Sequence, residues 1–182
     1  MDLKELCAIP EEEYDRMLQP IRDHITAYFR DDGQDLAHAL NVLKYVQLLL
    51  PEVAPDDWAR FRAEAAALVH DITCPILREV YGECPGDLQE EKSELHLDLF
   101  FERHDLPPAQ VKRIIWMVSH HHTPEASDEP DFRLLIEADL LANVQEQNAD
   151  LYELRQLAAR TMRTKTGQEE LRKLLRPMVQ EE

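Results

Sequence analysis

Four residues with metal-ligating side chains carry the clearest chemical signal in the sequence: His38, His70, Asp71 and Asp139. Imidazole nitrogen and carboxylate oxygen suit divalent ions of hard or borderline character, such as Mn, Fe, Co, Ni, Zn or Mg. Four protein ligands leave room for water on an octahedral ion, and a bound metal lowers the pKa of water from 15.7 toward about 7. The set therefore predicts a metal centre that supplies hydroxide at neutral pH.

The His70-Asp71 pair ends an apolar helical stretch, A-E-A-A-A-L-V-H-D-I, which begins at Ala63. Small residues there let the helix pack closely on its neighbours, so both polar side chains arrive at a buried end. An unpaired buried ion costs several kcal/mol, and a shared metal ion is one partner that suits both groups. The alternative is that His70 caps the last carbonyl groups of the helix while Asp71 begins a solvated turn.

His38 and Asp139 lie on two further predicted helices. His38 is aligned with a partly apolar helix face, where a histidine satisfied within the core is the alternative to a ligand. Asp139 shares a helical stripe with four other residues, Phe132, Leu135, Ile136 and Asn143. A carboxylate on such a stripe is normally neutralised or paired, so Asp139 is expected to share the cation.

Three successive histidines, His120, His121 and His122, end the helix that begins at Ala109. They are candidates for a role at the same centre, because histidine titrates near neutral pH and also binds metals. The alternative is a solvated helix end, where imidazolium complements the negative pole of the helix. The sequence does not distinguish which of the three faces the site.

The elements that must position these residues are helices. Leu, Ala, Glu, Gln and Arg dominate the 182 residues, and little sequence favours strands, which predicts an all-α protein. The 44% hydrophobic content suffices for one well-buried core and a single domain, 1–182. We expect N-terminal helices over 10–30, divided at Pro20, a core over about 34–148, and C-terminal helices over 151–180. A loop near 73–87, rich in Gly and Pro, is expected to border a pocket.

Composition limits the partners. A formal net charge of −17 repels a phosphate backbone, so long nucleic acids are excluded, whereas a small anionic substrate is compatible with a cation inside the site. No apolar run reaches the roughly 20 residues that span a bilayer. Cys7, Cys74 and Cys84 form no C-x-x-C pair and no complete disulfide framework, which indicates a reducing cytoplasm. Whether the chain forms a homo-oligomer stays open.

Three motifs, L-A-H-A-L-N-V, A-L-V-H-D-I and L-L-I-E-A-D-L-L, together resemble the HD-domain superfamily of metal-dependent phosphohydrolases. The resemblance covers about 36–143 and implies a helical bundle with a metal bound at His38, His70, Asp71 and Asp139. It also extends to small bacterial HD proteins of unassigned substrate. Thr73 stands where many relatives have Gly, a change that affects the turn and leaves the ligands intact.

The resemblance implies further roles. Relatives with two metals add histidines from the next two helices, for which His96, His120 and His121 are the candidates, so one metal is expected and a second stays open. Asp71 is expected to orient the attacking water, and His120 or His121 to donate a proton to the leaving oxygen. Apart from the resemblance, Arg163 and Lys165 are candidate phosphate-contacting cations, and the alternative is a basic pair at a helix end that lies on the surface.

The expected activity is hydrolysis of a small phosphate ester, such as a nucleotide. Two alternatives remain on the same scaffold. One is an HD-fold oxygenase that uses two irons and dioxygen, and the other is a non-catalytic module that binds a metal or a nucleotide.

Overall fold

The computed structural model describes residues 8–30, 33–146 and 151–178. Cys7 and the predicted helix ends at 147–148 and 179–180 lie outside them. The described residues form helices and turns without a β-strand, which confirms the all-α prediction. The helices are α1 (Glu11–Tyr28), α2 (Gly33–Val53), α3 (Asp57–Val69), α4 (Cys74–Tyr81), α5 (Gly86–Phe101), α6 (Pro108–Val118), α7 (Pro130–Glu146), α8 (Leu151–Thr161) and α9 (Lys165–Met178). In this part of the chain, no helix has the length and apolar content needed to cross a membrane.

Helix α3 forms the centre of the fold and packs against α1, α2, α6 and α7. Its side chains from Ala63 to Val69 are all buried, as expected for a helix surrounded by others. Alanine side chains at four of these positions let the neighbouring helices approach closely. The side chain of Asp56 caps the helix by accepting a hydrogen bond from the Ala59 N–H group at 2.8 Å. The C-terminal end of α3 therefore delivers His70 and Asp71 into the interior.

Helix α1 runs through Pro20 without a break, so the predicted division into two pieces is wrong. Pro20 is exposed, and the carbonyl group that loses its partner can be hydrated. Both halves of the helix present one continuous buried stripe, formed by Tyr14, Met17, Ile21 and Ile25. Packing of this stripe against the core holds the helix together across the proline.

The segment predicted as a loop near 73–87 contains a helix, α4, of 8 residues. Pro75 occupies its first turn, and Gly82 ends it with a φ of 82°. Both residues thus mark helix boundaries and do not exclude a helix. Cys74 and Cys84 form a disulfide with a Cα–Cα distance of 5.4 Å. The sequence analysis did not predict this pair, because it expected no complete disulfide framework and a reducing environment. The disulfide ties the start of α4 to the segment that precedes α5.

Asp131 fixes the start of α7 to two neighbouring helices. Its buried carboxylate accepts hydrogen bonds from Arg62 on α3 at 2.6 Å and from Arg113 on α6 at 2.8 Å. Burial raises the pKa of Asp131, but the hydrogen bonds from Arg113 and Arg62 outweigh burial and hold the pKa below its ordinary value. The contact sets the position of the helix that carries Asp139.

We expect Asp131→Asn to lower the free energy of unfolding by about 3 kcal/mol at pH 7, because two guanidinium groups lose a buried partner. Since the folded pKa is depressed, this stabilisation is complete above the unfolded pKa of about 3.9 and declines as pH falls below it. Urea unfolding of both proteins from pH 7 to pH 3 tests this. A difference between them that stays constant over the whole range would contradict the assignment.

Candidate metal centre

Three mutually packed helices bring the predicted ligands together. His38 lies on the second turn of α2, His70 and Asp71 follow the last residue of α3, and Asp139 lies in the middle of α7. The Nε2 atom of His38 is 3.2 Å from Asp139 Oδ1 and 3.5 Å from Asp71 Oδ2. The Nε2 atom of His70 is 3.4 Å from Asp71 Oδ2 and 3.6 Å from Asp139 Oδ1. Residues distant in sequence thus meet at one point.

Hydrogen bonds on the outer side of each ring fix the protons of the histidines. His38 Nδ1 lies 2.8 Å from Glu146 Oε2, and His70 Nδ1 lies 3.0 Å from the carbonyl oxygen of Ala67. Carboxylate and carbonyl oxygens accept, so each Nδ1 carries the proton and donates it. In the neutral rings, both Nε2 atoms then present lone pairs to the interior, which is the orientation that metal-binding histidines adopt.

His38 Nε2 and His70 Nε2 face each other at 3.1 Å, with the oxygens of Asp71 and Asp139 beside them. Two lone pairs and two carboxylates at this spacing repel one another unless a positive charge lies among them. Side chains of His38, His70 and Asp71 offer ligand atoms within 4.8 Å of one another, a group that could hold a metal ion. A divalent cation therefore fits the donors that the chain provides.

The pKa shifts of the clustered residues also indicate that the cluster needs a positive charge. Burial lowers the pKa of His38, but the hydrogen bond and charge of Asp139 and the charge of Asp71 outweigh burial and raise it to about 10. Burial raises the pKa of Asp139. The hydrogen bond with His38 and the charges of the neighbouring imidazoles outweigh burial and bring this pKa well below its ordinary value. The neighbouring imidazoles likewise lower the pKa of Asp71 against the effect of burial. Ionised carboxylates here need a cation, which is either a proton on His38 or a metal.

His121 is the member of the triple histidine that faces the site. It is only 3% exposed, and its Nε2 lies 3.8 Å from Asp71 Oδ1 and has no hydrogen-bond partner. Its Nδ1 donates to the carbonyl oxygen of Val118 at 2.6 Å, so Nε2 presents a lone pair. Burial and the adjacent His122 and His70 lower the pKa of His121 to about 3. A neutral ring in this orientation suits a ligand or a proton acceptor and not the predicted proton donor.

His96 and His120, the other candidates for a second metal, and His122 lie in different surroundings. His120 stacks on Trp116 with ring centroids 4.5 Å apart, and His122 is exposed. His96 donates through Nδ1 to the Lys92 carbonyl at 3.0 Å and lines a separate pocket. Among the described residues, neither His96 nor His120 belongs to a group of three potential ligands. Of the candidates for a second metal, His121 is the one in contact with the cluster.

Arg163 and Lys165 are both exposed, and their backbone N–H groups are held by carboxylates. Arg163 N–H donates to Glu137 at 2.9 Å, and Lys165 N–H donates to Glu52 at 2.8 Å. Glu52 lies 14 residues after His38 on α2, a distance of about 21 Å along the axis, and Glu137 projects about 200° around α7 from Asp139. This placement does not support the predicted role in contacting phosphate.

Three polar residues around the candidate ligands had no predicted role, although Asn143 was expected on the same helical stripe as Asp139. Glu146 accepts from His38 Nδ1 and also from the side chain of Asn41 at 2.7 Å. The side chain of Asn143 donates to Asp139 Oδ1 at 2.8 Å. Helical spacing offered a signal, because Glu146 lies two turns after Asp139 and Asn41 one turn after His38. These contacts fix the orientation of one imidazole and one carboxylate.

We expect Glu146→Ala to weaken metal binding by about 10–100-fold, because the His38 ring loses the acceptor that fixes its tautomer. Isothermal titration with Mn²⁺ or Co²⁺ measures the change. The matched control is Gln145→Ala, which removes the neighbouring hydrogen bond to Tyr45 and leaves His38 untouched. Equal affinities in the Glu146 variant, the control and the wild type would rule out this role for Glu146.

Comparison of the chain with protein-family models, curated proteins and solved structures finds no significant match to any of them.

Proposed function

We propose that this protein is a metal-dependent phosphohydrolase of the HD type, in which His38, His70, Asp71 and Asp139 hold one divalent ion. The observation that supports it is the convergence of two imidazole lone pairs and two carboxylates, with His38 Nε2 3.2 Å from Asp139. The order of these residues and their placement on three packed helices agree with the resemblance described for the sequence.

A bound divalent ion supplies two effects in such a site, a lowered pKa for water and compensation of negative charge at phosphorus. The chain contributes the orientation. Asp71 directs Oδ2 toward His38 and His70 and Oδ1 toward His121, so its two oxygens face different sides of the site. This arrangement allows Asp71 to hold the ion with one oxygen and to orient water with the other.

Two further features support the proposed site, namely the orientation of His121 and the partial exposure of two candidate ligands. His121 Nε2 has no hydrogen-bond partner among the described residues, so its lone pair is available to accept a hydrogen bond from a substrate group or a water beside Asp71, and burial keeps competing solvent away from it. The side chains of Asp71 and Asp139 remain 18% and 17% exposed, which leaves the carboxylates a route to a small ligand. A net charge of −17 disfavours anions elsewhere, so the ion provides the local attraction for phosphate.

The test is phosphate release from a panel of nucleoside monophosphates and other small phosphate esters, with Mn²⁺, Co²⁺, Mg²⁺ or Fe²⁺. We expect release with at least one ion and none with the Asp71→Ala variant. Absence of phosphate release across the whole panel with every ion would reject the proposed activity.

One observation favours the oxygenase as the second candidate. His121 Nε2 is unpartnered beside Asp71, and a carboxylate between two sets of imidazoles is able to bridge two metals. Two irons per chain after anaerobic purification, together with oxygen consumption, would select this alternative. One metal per chain, without oxygen consumption, would exclude it.

A further inference from the structure

The Cys74–Cys84 disulfide joins two chain segments beside the candidate metal centre. Cys74 begins α4 three residues after Asp71, and its N–H group donates to the Asp71 carbonyl oxygen at 2.9 Å. Cys84 lies two residues before α5, which starts at Gly86. Among the described helices, α5 packs mainly against α6. The disulfide therefore adds a covalent connection between the start of α5 and the turn that carries Asp71.

Helix α5 in turn holds residues 119–123, here called the histidine turn, in which His121 lies. The Glu90 carboxylate accepts hydrogen bonds from the His122 N–H group at 3.0 Å and from the Thr123 hydroxyl at 3.2 Å. A Cβ atom at Gly86 would lie 2.7 Å from the His122 ring, so glycine permits this close approach. The His122 ring lies against the His121 ring, with centroids 3.9 Å apart. The first turns of α5 thus restrict the position of His121.

These contacts complete a closed path around one side of the centre. The path runs from Asp71 through the disulfide and Glu90 to His121, whose Nε2 lies 3.8 Å from Asp71 Oδ1. On the α5 side, the path depends on solvent-exposed hydrogen bonds and a van der Waals contact. Opening the disulfide releases the start of α5, and these weak contacts alone then hold the histidine turn against it.

The two sulfur atoms differ in access and in leaving-group ability. Cys74 is only 4% exposed, whereas Cys84 is partly exposed and follows three exposed residues, 81–83. A thiolate from solution therefore reaches Cys84 Sγ first. Cys74 lies in the first turn of α4, where the helix dipole stabilises the thiolate that leaves.

We propose that Cys74–Cys84 is a site of reversible thiol–disulfide exchange that controls the position of His121. The reductant is a dithiol, whose thiolate attacks Cys84 Sγ and forms a mixed disulfide while the electron pair of the S–S bond leaves on Cys74 Sγ. The second thiol then displaces Cys84, so the two cysteines gain two electrons and two protons and the dithiol becomes a disulfide. The consequence for activity, though not the exchange itself, rests on the proposed hydrolase function.

Hydrogen–deuterium exchange on the full chain, before and after treatment with dithiothreitol, tests the proposal without requiring metal or activity. The His122 amide donates to Glu90, and the other amides from 119 to 123 donate to backbone carbonyl groups, so they report directly on the histidine turn. We expect reduction to accelerate hydrogen exchange over 119–123 by about tenfold or more and to leave 131–146 of α7 unchanged. Unchanged hydrogen exchange over 119–123, or equal acceleration in α7, would overturn the proposal.

Matched variants test the path through Glu90. In Glu90→Ala, the histidine turn should exchange hydrogen rapidly in the oxidised protein, and reduction should add little. The control is Glu91→Ala, which removes the exposed neighbouring carboxylate and should respond to reduction as the wild type does. A full response to reduction in Glu90→Ala would overturn the path.

The doubly substituted protein with Cys74→Ser and Cys84→Ser controls for the remaining cysteine. Its histidine turn should exchange hydrogen at the rate of the reduced wild type and should not respond to dithiothreitol. A response to dithiothreitol in this variant would assign the effect to Cys7 and overturn the proposal.

Phosphate release by the oxidised and reduced forms tests the consequence for the centre. The reductant is removed under argon before the metal is added, because dithiols bind metal ions. We expect release to be about tenfold or more slower after reduction, since a positioned acid–base group contributes about 10²–10⁴-fold and reduction removes the constraint on His121. Equal rates in the two forms would overturn the control of activity. If neither form releases phosphate, the hydrolase is rejected, and hydrogen exchange still decides whether the disulfide controls the histidine turn.

Discussion

Asp71→Ala should remove bound metal and reduce phosphate release by about a thousandfold or more, while the helical circular dichroism signal stays close to that of the wild type. The expected loss is large because a catalytic metal contributes several kcal/mol to the transition state, and each 1.36 kcal/mol is a factor of ten. Asp71 also contacts both His38 and His70, so its removal affects every side of the centre.

The matched control for this substitution is Asp98→Ala, which removes an exposed carboxylate on α5. Elemental analysis and phosphate release are measured on both variants after identical purification. Wild-type metal content in Asp71→Ala would remove this residue from the ligand set, and full activity in the same variant would reject its catalytic role.

Removal of divalent metal should lower the melting temperature of the wild-type protein by roughly 5–10 °C. An ion present at 100 times its Kd stabilises the folded state by about 2.7 kcal/mol, and each kcal/mol shifts the melting temperature of a chain of this size by about 2–4 °C. The physical origin is that only the folded chain brings His38, His70, Asp71 and Asp139 together, so the ion binds the folded state in preference to the unfolded one.

Differential scanning calorimetry with saturating Mn²⁺, and again after chelation and dialysis, measures this shift. The Asp71→Ala variant should melt at the same temperature under both conditions. A wild-type protein that is insensitive to chelation, or a variant that responds as strongly as the wild type, would contradict a metal-stabilised centre.

That the four candidate ligands face inward was predictable from sequence, because this orientation depends on local information. His70 and Asp71 end an apolar helix, and Asp139 lies on an apolar stripe, so helical periodicity alone indicates that they face inward. The alternative for His70 was also partly right. Its Nδ1 donates to a carbonyl group in the last turn of α3, while Nε2 faces the cluster.

Features that depend on distance in space were harder to predict. The Cα atoms of Cys74 and Cys84 are 5.4 Å apart because the chain turns back toward the start of α4 after Gly82 ends that helix. The three successive histidines lie in the turns that follow the end of α6 at Val118, and only packing against the cluster selects His121. In the sequence, Glu146 cannot be distinguished from a surface carboxylate. Its contact with His38 depends on the packing of α2 against α7.

Pro20 and Pro75 show that proline has different effects in the interior of a helix and in its first turn. At Pro20, burial of residues on both sides outweighs the lost hydrogen bond, and the helix continues. At Pro75, the ring suits the first turn, and the helix begins. Sequence alone does not weigh tertiary burial against a local preference, and the division predicted at Pro20 was wrong for that reason. The prediction of a loop over 73–87 was wrong because it overlooked the preference of proline for a first helical turn.

Crystallography of the protein grown with Mn²⁺ or Co²⁺, with anomalous data at the absorption edge of the ion, tests the central claim most directly. The account predicts a peak about 2.0–2.2 Å from His38 Nε2, His70 Nε2 and an oxygen of both Asp71 and Asp139. A map without a peak among these atoms, at saturating metal, would contradict it.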